Sequence, residues 1–140
     1  MINIPSTPSF KLNNRKALVT GAYGSIGLGC AVALSEAGAD VTIAGKNNDK
    51  LDKVILAFKK KGLKADKLII DANNVNSLKE KIDQKAPFDI LVNSIGIAKH
   101  SKSSNTNLND YDHVMNINTK FAYFITQSIC LLYTSPSPRD

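Results

Sequence analysis

Eight consecutive residues, Thr20-Gly21-Ala22-Tyr23-Gly24-Ser25-Ile26-Gly27, constrain this chain more than any other stretch. They end an apolar run, Ala17-Leu18-Val19, and open a helical pattern at Ile26, Leu28, Cys30, Ala31 and Leu34. A strand that breaks into glycines and restarts as a helix brings backbone N–H groups up to a phosphate. Gly21 permits a sharp turn, and the glycines around Ile26 remove side chains that would hold a pyrophosphate away. The helix N-terminus adds unpaired donors and a partial positive charge. Such a turn points to a dinucleotide.

The rest of the chain continues the same rhythm. Strands are predicted at 16–19, 40–44, 67–70 and 89–92, alternating with helices at 25–37, 49–61 and 76–84. Gly38 and Gly62 fall where helix C-caps are needed. Runs such as Leu68-Ile69-Ile70 and Ile90-Leu91-Val92 are apolar at every position, which suits a parallel sheet buried on both faces. A polar loop at 99–109 leads to two further helices, 109–115 and 118–129. The pattern predicts an α/β fold: a Rossmann-type, doubly wound parallel sheet, incomplete, with four strands and flanking helices.

Composition narrows the partners. The 140 residues carry 43% hydrophobic and 21% charged residues, as one globular domain does. The net charge of +6 comes mostly from scattered lysines. No aromatics interleave the Lys59-Lys60-Lys61 run, so a solvated helix end is expected rather than a nucleic-acid groove. Cys30 and Cys130 fit no metal or redox spacing, and Cys30 falls on the expected buried face of the first helix. His100 and His113 have no second ligand nearby in sequence, so no metal site is expected. With no signal-like N-terminus and no bilayer-length apolar run, a cytoplasmic protein without membrane attachment is expected.

Further motifs follow in order: Asp71 in Ile70-Asp71-Ala72, then Asn93-Ser94-Ile95-Gly96, then Asn118 in Asn116-Ile117-Asn118-Thr119-Lys120-Phe121. Alone, Asp71 reads as a turn cap and Asn118 as a surface helix residue. Together with the glycine turn, residues 10–129 resemble the N-terminal half of the short-chain dehydrogenase/reductase family. The resemblance implies roles residue by residue. Gly21, Ser25, Ile26 and Gly27, with Tyr23 in the same turn, would cradle the pyrophosphate. Asp71 and Ala72 would face the adenine, and Asn93 and Gly96 would steady the central strand beside the cofactor. Asn118 would be the asparagine of the family's catalytic Asn-Ser-Tyr-Lys set, bending its helix and helping to hold a water. Two departures are visible: Ser25 replaces a usual glycine, and Ile95 replaces a usual alanine.

Cofactor choice turns on Gly45-Lys46 after the second strand. An acidic side chain there would accept from a ribose 2′-OH and favour NAD. Gly45 offers none, and Lys46 can attract a 2′-phosphate, so NADP(H) is expected ahead of NAD(H).

The chain contains no Tyr-x-x-x-Lys. The family's Ser, Tyr and Lys would follow residue 140, so the chain as given is expected to be inactive. Residues 130–140, Cys-Leu-Leu-Tyr-Thr-Ser-Pro-Ser-Pro-Arg-Asp, match one frame of a common transposase sequencing adapter and are expected to be non-native. The expected organisation is an arm at 1–14, a dinucleotide-binding domain at 15–129 and that tail. The family order 3-2-1-4-5-6-7 would leave strand four as an open edge, marginally stable and prone to aggregation. The parent is expected to be an oxidoreductase moving hydride between a nicotinamide cofactor and an alcohol/carbonyl substrate, as a homodimer or tetramer. A non-catalytic dinucleotide sensor or scaffold is the alternative. A methyltransferase-like Rossmann domain is a third reading, against which Gly45 speaks.

Overall fold

A computed structural model describes residues 4, 6 and 8–130. The eleven-residue tail therefore lies outside the described residues except for Cys130, whose backbone closes the last helix.

Four strands form one parallel sheet: β1 (Lys16–Thr20), β2 (Asp40–Gly45), β3 (Asp66–Ile69) and β4 (Ile90–Asn93). Their order is β3-β2-β1-β4. Register runs from Lys16 against Asp40 to Thr20 against Ala44 on one side of β1. On the other side Ala17 pairs with Ile90 and Thr20 with Asn93. All four carboxyl ends therefore emerge along one rim.

Side-chain alternation along the strands builds two cores. Ala17, Val19, Val41 and Ile43 join Ala31, Leu51 and Phe58 on the face covered by α1 (Ser25–Glu36) and α2 (Asn48–Lys60). Leu18, Ala44 and Leu68 join Leu78, Ile82, Phe88 and Phe121 on the opposite face, under α3 (Leu78–Asp83) and α5 (Ala122–Cys130). Burying each such large side chain contributes about 1.5–3 kcal/mol, so both faces stabilise the sheet. The period-two pattern is why a run apolar at every position fits here.

Local chemistry sets the helix ends. Asn47 caps α2 by accepting from Lys50 N–H at 2.9 Å, and Asn107 caps α4 (Leu108–Met115) by accepting from Asp110 N–H at 2.8 Å. Gly38 and Gly62, at φ 98° and 73°, take the left-handed turns after α1 and α2.

Several expected boundaries move. β3 begins at Asp66 and ends at Ile69, and a short 3-10 turn, Val75–Ser77, precedes α3. The two helices expected at 109–115 and 118–129 are one helical run, because a π-helical turn over Asn116–Phe121 joins α4 to α5. Cys30 is half-buried, not buried, because Gly27 and Ala31 take the contact face of α1. Phe121 is fully buried, whereas Tyr111 and Phe124 are exposed.

Asp89 ties the amino ends of β1 and β4 together. Its Oδ2 accepts from Lys16 N–H at 2.8 Å and its Oδ1 from Arg15 Nη1 at 2.9 Å. The Lys16 N–H and then the Arg15 guanidinium hold its carboxyl below the ordinary value. A carboxylate depressed by folding stabilises the fold above its unfolded pKa and stops doing so as pH falls through the folded one. Asp89→Asn is therefore expected to lower the thermal midpoint at pH 7 and to flatten the acid limb below about pH 4. Melting curves of both chains across pH 2–7 check this.

Candidate functional site

Along the rim where the strands end lies a cleft of about 260 Å³. Gly21, Tyr23 and Gly24 line it from the first turn, Lys46 from the end of β2, and Ile70 to Asn73 from the end of β3. Ser94 to Ile97 follow from the end of β4, with His113 and Ile117 from the last helical run. A crevice at the carboxyl ends of parallel strands is where open α/β sheets bind ligands.

The floor of the cleft is a close meeting of two turns. Gly21 has φ +65°, and a Cβ there would stand 2.7 Å from the Ser94 carbonyl oxygen. Gly27 serves the docking of α1: its Cβ would lie 2.6 Å from the Gly21 carbonyl oxygen. At Gly27 the missing side chain makes room for the turn itself. The N-cap of α1 is Gly24, with no side-chain cap and no acid in the first turn. Its leading N–H groups have no side chain to satisfy them, unlike those of α2 and α4, and they carry the positive end of the helix dipole.

Thr20 locks the two strand ends behind that floor. Its fully buried hydroxyl donates to Asn93 Oδ1 at 3.0 Å and accepts from Ser94 N–H at 3.1 Å. Asn93 belongs to a motif visible in the sequence, whereas Thr20 carries no local signal of this role. Only the pairing of residues 73 apart in sequence reveals it.

Asn118 sits in the π-helical turn and spends both ends of its amide on one residue. Its Oδ1 accepts from Ile97 N–H and its Nδ2 donates to Ile97 O, each at 2.8 Å. The side chain pairs with the loop after β4 as a strand would, and so holds Gly96 and Ile97 at the cleft. Gly96 is close beneath it, with a Cβ position 3.4 Å from Asn118 Oδ1.

Charge within the cleft is mixed. Asp71 Oδ1 accepts from the Asn73 N–H at 3.0 Å and its side-chain amide at 2.9 Å. The Asn73 N–H is the main reason its carboxyl sits below the ordinary value. Slight burial opposes that, while the Asn73 amide, Lys46 and Lys81 add to it. Tyr23 lies against the end of β2, where a Cβ at position 45 would stand 2.5 Å from its Cε1. Lys50 Nζ is 5.3 Å from the centre of the same ring, a contact worth about 0.5–1 kcal/mol at an exposed site.

Of the residues singled out from the sequence, Gly21, Tyr23, Lys46, Asp71, Ala72 and Gly96 line the cleft together. Gly27, Asn93 and Asn118 stand behind it as supports, and Ser25 and Ile26 lie at the exposed start of α1. Ile26 points its side chain to solvent at 77% exposure, so only its backbone can serve a phosphate. Asn73, Ser94, Ile97 and His113 were not anticipated; their place follows from strand ends converging, for which no local signal exists.

Thr20→Val keeps the shape of the side chain but leaves the Ser94 N–H and Asn93 Oδ1 without their partner. A loss of about 1–3 kcal/mol is expected in urea unfolding at neutral pH.

A family model described as short chain dehydrogenase matches residues 15–134. A gluconate 5-dehydrogenase of Gluconobacter oxydans is 32% identical over 124 residues, which is 86% of this chain and 48% of that protein. Among solved structures, a gluconate 5-dehydrogenase from Burkholderia cenocepacia in complex with NADP and tartrate is similar with a TM-score of 0.81 at 29% identity. The match covers 89% of this chain and 50% of that one. A 3-oxoacyl (acyl-carrier-protein) reductase from Agrobacterium tumefaciens with NADP bound gives 0.79 at 28% identity, over 86% and 48%. The chain spans about half the length of the curated relatives it matches.

Proposed function

The chain belongs to the short chain dehydrogenase family, and from that premise we propose that it is the cofactor-binding part of an NADP(H)-dependent oxidoreductase. The whole protein would move hydride between NADP(H) and an alcohol/carbonyl pair on a small substrate. Gluconate-type names among the relatives support a sugar acid. The cofactor-binding domain would be residues 15–129.

The observation that carries this reading is the first turn. A glycine-walled, uncapped helix N-terminus opens beside a cleft that also presents Lys46. The backbone N–H groups of Ser25 and Ile26 would hold the pyrophosphate, which needs donors and positive potential and no side chain in the way. Lys46 would pair with the 2′-phosphate, since Gly45 places no carboxylate there to repel it. Asp71 and Ala72 would meet the adenine end, Asp71 with its carboxylate already oriented by Asn73. Gly96 and Ile97 would pass along the nicotinamide end, fixed from behind by Asn93 and Asn118. When bound, the nicotinamide supplies the hydride donor or acceptor. Asn118 would act by positioning, because its amide is already spent on Ile97.

The parent protein would pair with a second copy through the last helical run. Leu108, Tyr111, Met115 and Tyr123 form an exposed apolar stripe there, with Leu108 71% and Tyr123 64% exposed. Among the described residues no helix is long and apolar enough to cross a membrane, and we place the protein in the cytoplasm.

Fluorescence titration of the purified chain tests the cofactor reading. NADPH is expected to bind more tightly than NADH, and Lys46→Glu to weaken NADPH by roughly tenfold or more while sparing NADH. Equal binding of the two nucleotides by the unsubstituted chain would overturn it.

A further inference from the structure

Position 45 is where a side chain accepting the ribose 2′-OH would stand, and in this fold it cannot hold one while Tyr23 keeps its place. The Tyr23 ring fills the space into which a Cβ at 45 would project, with Cε1 at 2.5 Å and Cζ at 3.3 Å from that point. The ring is half-buried and reaches there because Tyr23 lies in the glycine turn, two residues past Gly21, whose own N–H donates to Ala44 O at 2.9 Å. The turn is thus hydrogen-bonded directly to the end of β2. Lys50 sits over the ring from the first turn of α2, and the Asn47 cap on the Lys50 N–H fixes that turn.

We infer that Tyr23 is a specificity-determining residue that enforces NADP(H) by occupying the place of the carboxylate an NAD(H) site would use. Positive charge at Lys46 attracts the 2′-phosphate, and the ring excludes the group that would reward its absence. The two devices act on opposite sides of the same choice, one attractive and one steric. Tyr23 takes no part in the chemistry; it is a positioning residue acting through position 45. The inference rests on the NADP(H) reading above.

A double-mutant cycle with NADPH and NADH titrations on the full 140-residue chain tests it. Gly45→Asp alone is expected to weaken NADPH with little gain for NADH. Adding Tyr23→Phe to Gly45→Asp keeps the ring and is expected to leave NADH binding as weak as in Gly45→Asp alone. Adding Tyr23→Ala to Gly45→Asp is expected to raise NADH affinity about fivefold or more over Gly45→Asp alone, the scale of direct pairwise coupling. If Gly45→Asp gains NADH equally with and without the ring, the inference fails while the cofactor reading stands. If the unsubstituted chain shows no preference for NADPH, the cofactor reading fails and the inference with it.

Melting curves give a readout without nucleotide. Gly45→Ala is expected to lower the midpoint when Tyr23 is present and to have little effect in the Tyr23→Ala background. Equal shifts in both backgrounds would show that the ring does not close position 45, and would overturn the inference.

Discussion

Everything at the functional end of this protein depends on how closely the ends of β1 and β4 approach. A Cβ on Gly21 would stand 2.7 Å from the Ser94 carbonyl oxygen, closer than side chains come, and the buried Thr20 hydroxyl bridges Asn93 and Ser94 just behind. A single added methyl at Gly21 would push against backbone, which cannot yield as a side-chain tip can. Its left-handed φ adds a second reason for glycine. With the two turns locked, the helix that follows must dock on the same spot, and Gly27 lets it do so.

The opposite wall depends on the last helical run. Ile117, Phe121, Ile125 and Ile129 recur every four residues and anchor that run on the core under the sheet. Within it, the π-helical turn over Asn116–Phe121 turns Asn118 toward the loop after β4, where its amide pairs with Ile97. Wider turns of this kind often mark functional positions in helices. The consequence here is mechanical. The loop after β4, whose Ile95 and Ile97 pack against the core, is also held at the cleft by two hydrogen bonds from a helix that the core has already fixed.

Most of the secondary structure was legible in the sequence. Short apolar runs such as 17–19, 68–70 and 90–92 between helical patterns specify buried parallel strands, and glycines at 38 and 62 mark helix ends through their left-handed φ. The glycine turn was legible for the same reason: its chemistry is local. Legibility failed where geometry is shared between distant segments. The π-helical turn left no composition signal, so one helical run read as two. Cys30 follows the apolar pattern of α1, yet the contact face of that helix is taken by Gly27 and Ala31. Thr20 looked like an ordinary strand residue, because its partners lie more than seventy positions away.

The sequence by itself determined a parallel α/β sheet with a glycine-rich turn after the first strand and no acidic residue directly after the second. These properties follow from periodicity, backbone freedom and side-chain charge, each written within a few neighbouring residues. Tertiary structure alone decided what the individual groups do. Gly27 accommodates backbone, Asn118 is spent on Ile97, and Tyr23 stands over Gly45. Such assignments depend on which strand ends converge and how closely, and no local pattern carries that distance.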